Sequence, residues 1–465
     1  MDRASIGPSA GGKSHRRALP RGAGRPHNAR VDWTPLLEGA DAERARDAAV
    51  AVARDLERAL AARPRPGLEG GRAGLAVLAR YLAKAGIPSF AEVAERELGG
   101  AIELVEGGAG TGLELLPGLF GVGWATEHLA EGGDDEDGNE GIDELLLDAL
   151  DGPSPFGGRL EHHTGAVGAG LYALERGPQP IAVQCVARIV DWIERAAERD
   201  GPKIRWRRPP DTLLPDQVPL YPNGLFDLGL GHGAPGLIAF LADAHAAGVA
   251  RDRTRALACG AVAWLLDQRL PEDAIARFGY VGEQQGPVQV ARGHVRSTVL
   301  QGAEPARLGW CYGDVGIALV LDLAGRAFSR PDFCDEALAV ARKAAARPPE
   351  TSGVVDAGLC HGAAGIGHML LRLHRASGDA GLGEAARTWF RRALAMRKAE
   401  GGIGGYTFVV PSRDLRRMVE APDPGLLNGG LGVALALLAA SSDVEPRWDS
   451  LFFASFPRAV RGARA

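Results

Sequence analysis

The chain has 465 residues, is 46% hydrophobic and carries a formal net charge of −5, enough for two or three ordinary domains or one large one with a sizeable core. The weakly acidic balance argues against a dedicated nucleic-acid surface. No apolar run approaches the roughly 18–20 residues of a membrane span, and five cysteines at no regular disulfide spacing point to a reducing, cytoplasmic compartment.

Residues 1–32 are rich in Arg, Gly, Ser and Pro and lack a hydrophobic stretch, so they read as a disordered basic arm rather than a secretory signal. From residue 33 to the C-terminus at 465 one short pattern recurs: G-x-x-G followed by a helical apolar run. The copies are GGRAGLAVLARYL from Gly70, PGLFGVGWATEHL from Pro117, TGAVGAGLYALER from Thr164, HGAPGLIAFLADA from His232, YGDVGIALVLDLA from Tyr312, HGAAGIGHMLLRL from His361 and NGGLGVALALLAA from Asn428. Their first glycines are Gly71, Gly118, Gly165, Gly233, Gly313, Gly362 and Gly429. The shortest interval between them is 47 residues, which holds two helices of roughly 12–15 residues and two connections. Amphipathic Ala/Leu/Arg stretches between the copies supply the second helix of each pair. A helix that begins with glycines brings its first turn close to neighbouring backbone, because no Cβ intervenes. Seven helical pairs without obvious caps predict an all-α fold, an α/α-toroid with the glycine-led helices inside, rather than an open solenoid.

Three connections, 200–226, 278–307 and 401–425, are long and Pro/Gly-rich. They precede copies four, five and seven, and are expected to gather over the end of the ring that carries the glycine motifs. The acidic run EGGDDEDGNEGIDE, residues 131–144, reads instead as a solvated surface loop.

Four copies have an unreactive residue before their first glycine; three do not. Copy four has His232, copy five has Cys311 and copy six has the adjacent pair Cys360 and His361. Equivalent positions of a ring converge on its centre, so Cys311, Cys360 and His361 should meet. Two thiolates and an imidazole suit Zn²⁺ and leave a fourth position for water or substrate. Adjacent ligands can reach one ion only where the backbone is not yet helical. A helix N-terminus would also favour thiolate over thiol. Cys185, Cys259 and Cys334 lie inside apolar helical stretches and read as small buried hydrophobes; His128, His245, His368 and His374 read as ordinary surface or core residues.

The combination GLGHGAPG, GWCYGD and GLCHGAAGIG resembles the lanthionine synthetase cyclases, the LanC-like family, and the resemblance covers the chain from about Trp33 onward. It implies an α/α-toroid with a central zinc held by Cys311, Cys360 and His361. It also implies an acid/base histidine at His232, and an arginine and a tyrosine flanking the first zinc cysteine, at Arg307 and Tyr312. The family places an aspartate four residues before the first glycine of the third repeat; here that position is Glu161, in LEHHTGAVG, so the carboxylate is moved by one methylene, and His162 or His163 are alternative participants.

The activity implied is addition of a precursor-peptide cysteine thiol to dehydroalanine or dehydrobutyrine of the same peptide, giving a thioether ring. His232 would protonate the enolate, Glu161 would orient His232 or take the thiol proton, and Arg307 would stabilise the enolate oxygen. The partners implied are a dehydrated, leader-bearing precursor peptide and a separate dehydratase or transporter, since the chain holds no dehydratase. Two other readings share the site: addition of glutathione or another small thiol to dehydroamino acids, and a non-catalytic zinc-containing peptide-binding scaffold. A toroidal glycosidase would need paired carboxylates in the bowl, for which Asp314 and Glu161 are poor candidates beside a Cys/Cys/His set.

Overall fold

The computed structural model describes residues 33–108, 111–130, 137–215, 217–283, 304–412 and 417–457. The arm over 1–32 and most of the 278–307 connection lie outside the described residues.

Seven helices start one residue after the seven repeat glycines: α2 (Arg72–Lys84), α4 (Leu119–Leu129), α6 (Ala166–Arg176), α8 (Ala234–Ala246), α10 (Asp314–Ala327), α12 (Ala363–Ser377) and α14 (Gly430–Ser441). Each packs against the next, and α14 packs against α2, which closes the ring. This is the toroid that the repeat predicts. These inner helices are buried nearly all round; every residue of α6 and α14 is buried. The helices between them form the outer layer: α3 (Ala91–Glu106), α5 (Glu140–Asp151), α7 (Pro180–Arg195), α9 (Arg251–Asp267), α11 (Pro331–Ala346) and α13 (Ala380–Ala395). They bury one stripe only. In α7 it is Ala182, Cys185, Val186, Ile189, Val190 and Ile193, the spacing of a single helical face. The seventh outer helix, α1 (Gly39–Ala62), packs on α14, so the first helix among the described residues completes the last pair.

No side chain caps the inner helices. Main-chain carbonyls of the seven preceding residues do so for α2, α4, α6, α8, α12 and α14. In α12 the N–H groups of Ala363, Ala364 and Gly365 donate to the carbonyls of Asp356, Ala357 and Gly358. This explains the second glycine of each motif. A Cβ on Gly365 would overlap the Leu359 carbonyl, and one on Gly168 the His162 carbonyl. The close approach is to the repeat's own preceding turn rather than to a neighbouring helix. Gly313 alone among the seven first glycines has a left-handed φ, +107°, while the equivalent Gly362 is extended.

Two short antiparallel hairpins interrupt the helices: β1 (Glu198–Asp200) with β2 (Lys203–Arg205), and β3 (Phe408–Pro411) with β4 (Met418–Ala421). The second falls in the 401–425 connection and the first straddles the start of the 200–226 one; neither has a counterpart in the helical reading. The acidic run also needs correction. Residues 131–136 lie outside the described residues, but Glu140 starts α5, and Asp143 is buried against Arg176 and the Tyr172 hydroxyl rather than solvated. Its partners lie about thirty residues downstream, where a charge count cannot find them.

Candidate metal centre

Cys311, Cys360 and His361 come together at the N-terminal end of the inner ring. Their ligand atoms all lie within 4.8 Å of one another, and Cys311 Sγ is 3.9 Å from His361 Nδ1. Zinc bonds of about 2.3 Å to sulfur and 2.0 Å to nitrogen put two tetrahedral ligands roughly 3.5–3.8 Å apart, so this donor set fits the ion. Copies five and six are tied together by the N–H groups of Trp310 and Cys311, which donate to the Cys360 carbonyl, and the Cys360 N–H donates on to Leu427 of copy seven. Cys360 and His361 sit in a turn before α12, so the adjacent pair is free of helical geometry.

The two sulfurs differ in character. A hydrogen bond from Cys360 holds the Cys311 thiol well below the usual range; burial opposes this, while His361 and Arg307 assist. The same contact, with burial, pushes Cys360 well above the usual range. The first-turn N–H groups of α12 are spent on carbonyls, and Arg307 is a nearby cation that favours thiolate at Cys311. Burial opposes the Arg307 charge, yet Cys311 and Cys360 raise its pKa above the ordinary value. Arg307 Nε has no hydrogen-bond partner among the described residues.

All seven candidates, Cys311, Cys360, His361, His232, Glu161, Arg307 and Tyr312, line one cavity of about 710 Å³. His232 Nδ1 is 4.0 Å from Glu161 Oε2, and the His232 ring lies 5.6 Å from that of Tyr312. Glu161 is largely engaged in its own turn. Its Oε2 accepts the His163 N–H at 2.6 Å, and its Oε1 accepts the N–H and hydroxyl of Thr164 at 2.8 and 2.6 Å. The Tyr312 hydroxyl donates to Asp227 Oδ2 at 3.0 Å; burial and that carboxylate hold it well above the ordinary range for a phenol.

The chain matches the family described as lanthionine synthetase C-like protein over residues 64–453. It belongs to the lanthionine synthetase C-like family. A solved structure titled nisin cyclase superposes with a TM-score of 0.67 at 17% sequence identity, covering 86% of this chain and 97% of that one; the likeness extends the family assignment to the toroidal fold. A search of the curated proteins found no match.

In this LanC-like chain the sequence reading missed two residues beside the site. Asp227 is wholly buried and takes Arg208 Nη1 at 2.7 Å besides Tyr312. It stands six residues before Gly233 in DLGLGHG; Asp356 in DAGLCHG and Asp423 in DPGLLNG hold the same place, and each accepts the N–H of the glycine two residues on. That recurring D-x-G was the available signal. The second missed residue, Arg208, carries no signal; it lies in a long connection and meets the site only through the fold.

Proposed function

We infer that this protein is a zinc-dependent lanthionine-forming cyclase. It would join cysteine thiols of a dehydrated precursor peptide to dehydroalanine or dehydrobutyrine in the same peptide. The observation that carries this reading is the meeting of two cysteines and a histidine with His232 and Arg307 on one cavity. Membership of the LanC-like family and the fold shared with nisin cyclase support it.

Cys311, Cys360 and His361 would hold the ion. A bound zinc would supply the charge that keeps a substrate thiol deprotonated, and two protein thiolates would leave that sulfur electron-rich. The cavity of about 710 Å³ has room for a few peptide residues. Attack by sulfur on the β-carbon moves the alkene electrons toward the adjacent carbonyl. Arg307, with a buried unpartnered Nε, would stabilise that oxygen. His232 would deliver a proton to the α-carbon, a contribution of about 10²–10⁴-fold. Glu161, 4.0 Å from His232 Nδ1, would orient that ring. Tyr312, held by Asp227, packs beside that ring and keeps it in place.

Thiol chemistry suits the reducing compartment that the cysteine usage suggests; all five cysteines are free, and no helix among the described residues is long and apolar enough to cross a membrane. A dehydratase would supply the substrate.

The test is incubation with a dehydrated peptide bearing a free cysteine, followed by thiol alkylation and mass spectrometry. Cyclisation is mass-neutral but removes the alkylatable thiol. The wild type should remove it, and His232→Ala should do so at least about 10²-fold more slowly. Alkylation unchanged by wild-type protein loaded with zinc would refute the cyclase reading. Consumption of added glutathione instead of the peptide's own thiol would redirect it to small-thiol addition.

A further inference from the structure

Two histidines next to Glu161 form a chain that fixes their tautomers. His162 is buried, and its Nε2 lies 2.6 Å from the carbonyl oxygen of Leu451. A carbonyl only accepts, so that nitrogen carries the hydrogen. Burial pushes the His162 pKa down to about 4, so the ring is neutral near pH 7 and its Nδ1 is a bare acceptor. His163 Nδ1 is 3.3 Å from that atom and must be the donor. The proton of neutral His163 is therefore on Nδ1, which leaves Nε2 with a free lone pair.

The fold aims that lone pair. His163 stands two residues before its repeat glycine, the register that Cys311 and Cys360 hold in copies five and six. In copy four the same register is Gly231. His163 Nε2 fills the vacant place, 3.0 Å from where a Gly231 Cβ would be. The ring lines the cavity and lies edge-on to His232, centroids 4.8 Å apart. Both oxygens of Glu161, by contrast, already accept hydrogen bonds within its own turn.

We propose that His163 is a catalytic base of this site, held as the Nδ1–H tautomer by the Leu451–His162 chain and receiving on Nε2 the proton of the substrate thiol. The proposal rests on the cyclase reading for its substrate. The thiol S–H bond breaks and its proton passes to His163 Nε2. The sulfur electron pair forms the bond to the β-carbon, and His232, in its protonated form, gives a proton to the α-carbon. His163 then returns the proton to His232, and both rings are restored with nothing else consumed. Burial, and then the facing His232, His162 and Arg208, hold the His163 pKa well below the ordinary imidazole value, so the proton rests on this ring only in passing; Glu161 faces its main-chain N–H.

The test is nitrogen NMR of histidine-labelled, zinc-loaded, full-length protein, with His163→Gln and His232→Gln used to assign signals. At neutral pH His163 should show a protonated Nδ1 and a bare Nε2; a protonated Nε2 at rest would overturn the proposal. Adding N-acetylcysteine amide, a thiol without a dehydro residue, should shift the His163 Nε2 signal as that lone pair meets the thiol proton. A signal that does not move would also overturn it. These readouts do not need turnover, so they stand apart from failure of the cyclisation assay. In that assay His163→Gln should lower kcat by about 10²-fold near pH 7 with KM little changed. The defect should shrink as pH rises and more of the bound thiol ionises without a base, at a pH below the roughly 8.5 of a free thiol; a defect constant with pH would indicate a merely structural role and count against the base.

Discussion

Asp227 shows how one buried carboxylate joins two repeats. Its Oδ1 accepts the Gly229 N–H at 2.7 Å and shapes the turn that presents His232. Its Oδ2 takes Arg208 at 2.7 Å and the Tyr312 hydroxyl at 3.0 Å, in a place with no exposure at all. Removing one member of a buried ion pair costs more than the pair contributes, because the other charge stays behind. Asp227→Ala should therefore destabilise the protein by about 3 kcal/mol in chemical denaturation; a loss below about 1 kcal/mol would mean that Arg208 finds water instead. The candidate ligands Cys311, Cys360 and His361, and with them His232, could be picked out in the sequence because they interrupt a repeat. Asp227 was not read as a site residue, because its role depends on Tyr312, 85 residues away.

At the scale of the element, each inner helix depends on the seven residues that precede it. Those residues carry the ligands and, in all but α10, cap the helix with carbonyls, so the second glycine of a motif bears on site geometry as well as stability. Gly365→Ala would drive a methyl into the Leu359 carbonyl, next to Cys360. It should cost about 3 kcal/mol and weaken metal binding. Gly99 in the outer helix α3 has nothing within 4 Å of its Cβ position, so Gly99→Ala should stabilise by about 0.5–1 kcal/mol. Thermal unfolding of the two variants should shift in opposite directions; a shared sign would contradict this account of the glycines. The C-terminal 3₁₀ segment Arg447–Phe452 is a second such element. Asp449 anchors it through His368 at 2.8 Å and Arg372 Nε at 2.5 Å, and its Leu451 and Phe452 carbonyls hold His162 and Trp310. No periodicity announces a segment that works through its main chain.

For the whole molecule the decisive event is closure of the ring. The first and last of the described segments meet where Trp33 Nε1 donates to the Ala439 carbonyl and Leu36 and Leu37 donate to Ala440. Between copies seven and one a side chain also stands in for the main-chain link: Glu69 Oε2 accepts the N–H groups of Leu426 and Leu427 at 3.0 and 3.1 Å. Burial, which outweighs those donors, and the nearby Asp423 push the Glu69 pKa from 4.5 to about 7. The folded state thus binds this proton more tightly than the unfolded chain, so the contribution is full below pH 4.5 and is lost as pH rises to about 7. Unfolding free energy measured across that window should fall less steeply in Glu69→Gln than in the wild type; identical slopes would show that Glu69 does not titrate in the fold. The toroid itself was readable from seven glycine motifs, since each needs a neighbour to cover it. What seals the ring was not, because the sealing contacts span nearly the whole chain.

The most direct test of the account is the zinc content of the purified protein and of Cys360→Ala by elemental mass spectrometry. About one zinc per chain in the wild type, lost in the variant, is the result that the convergence of Cys311, Cys360 and His361 predicts. A wild type that holds no zinc after careful reconstitution, or a variant that keeps it, would contradict the metal centre and leave a toroidal peptide-binding scaffold in its place.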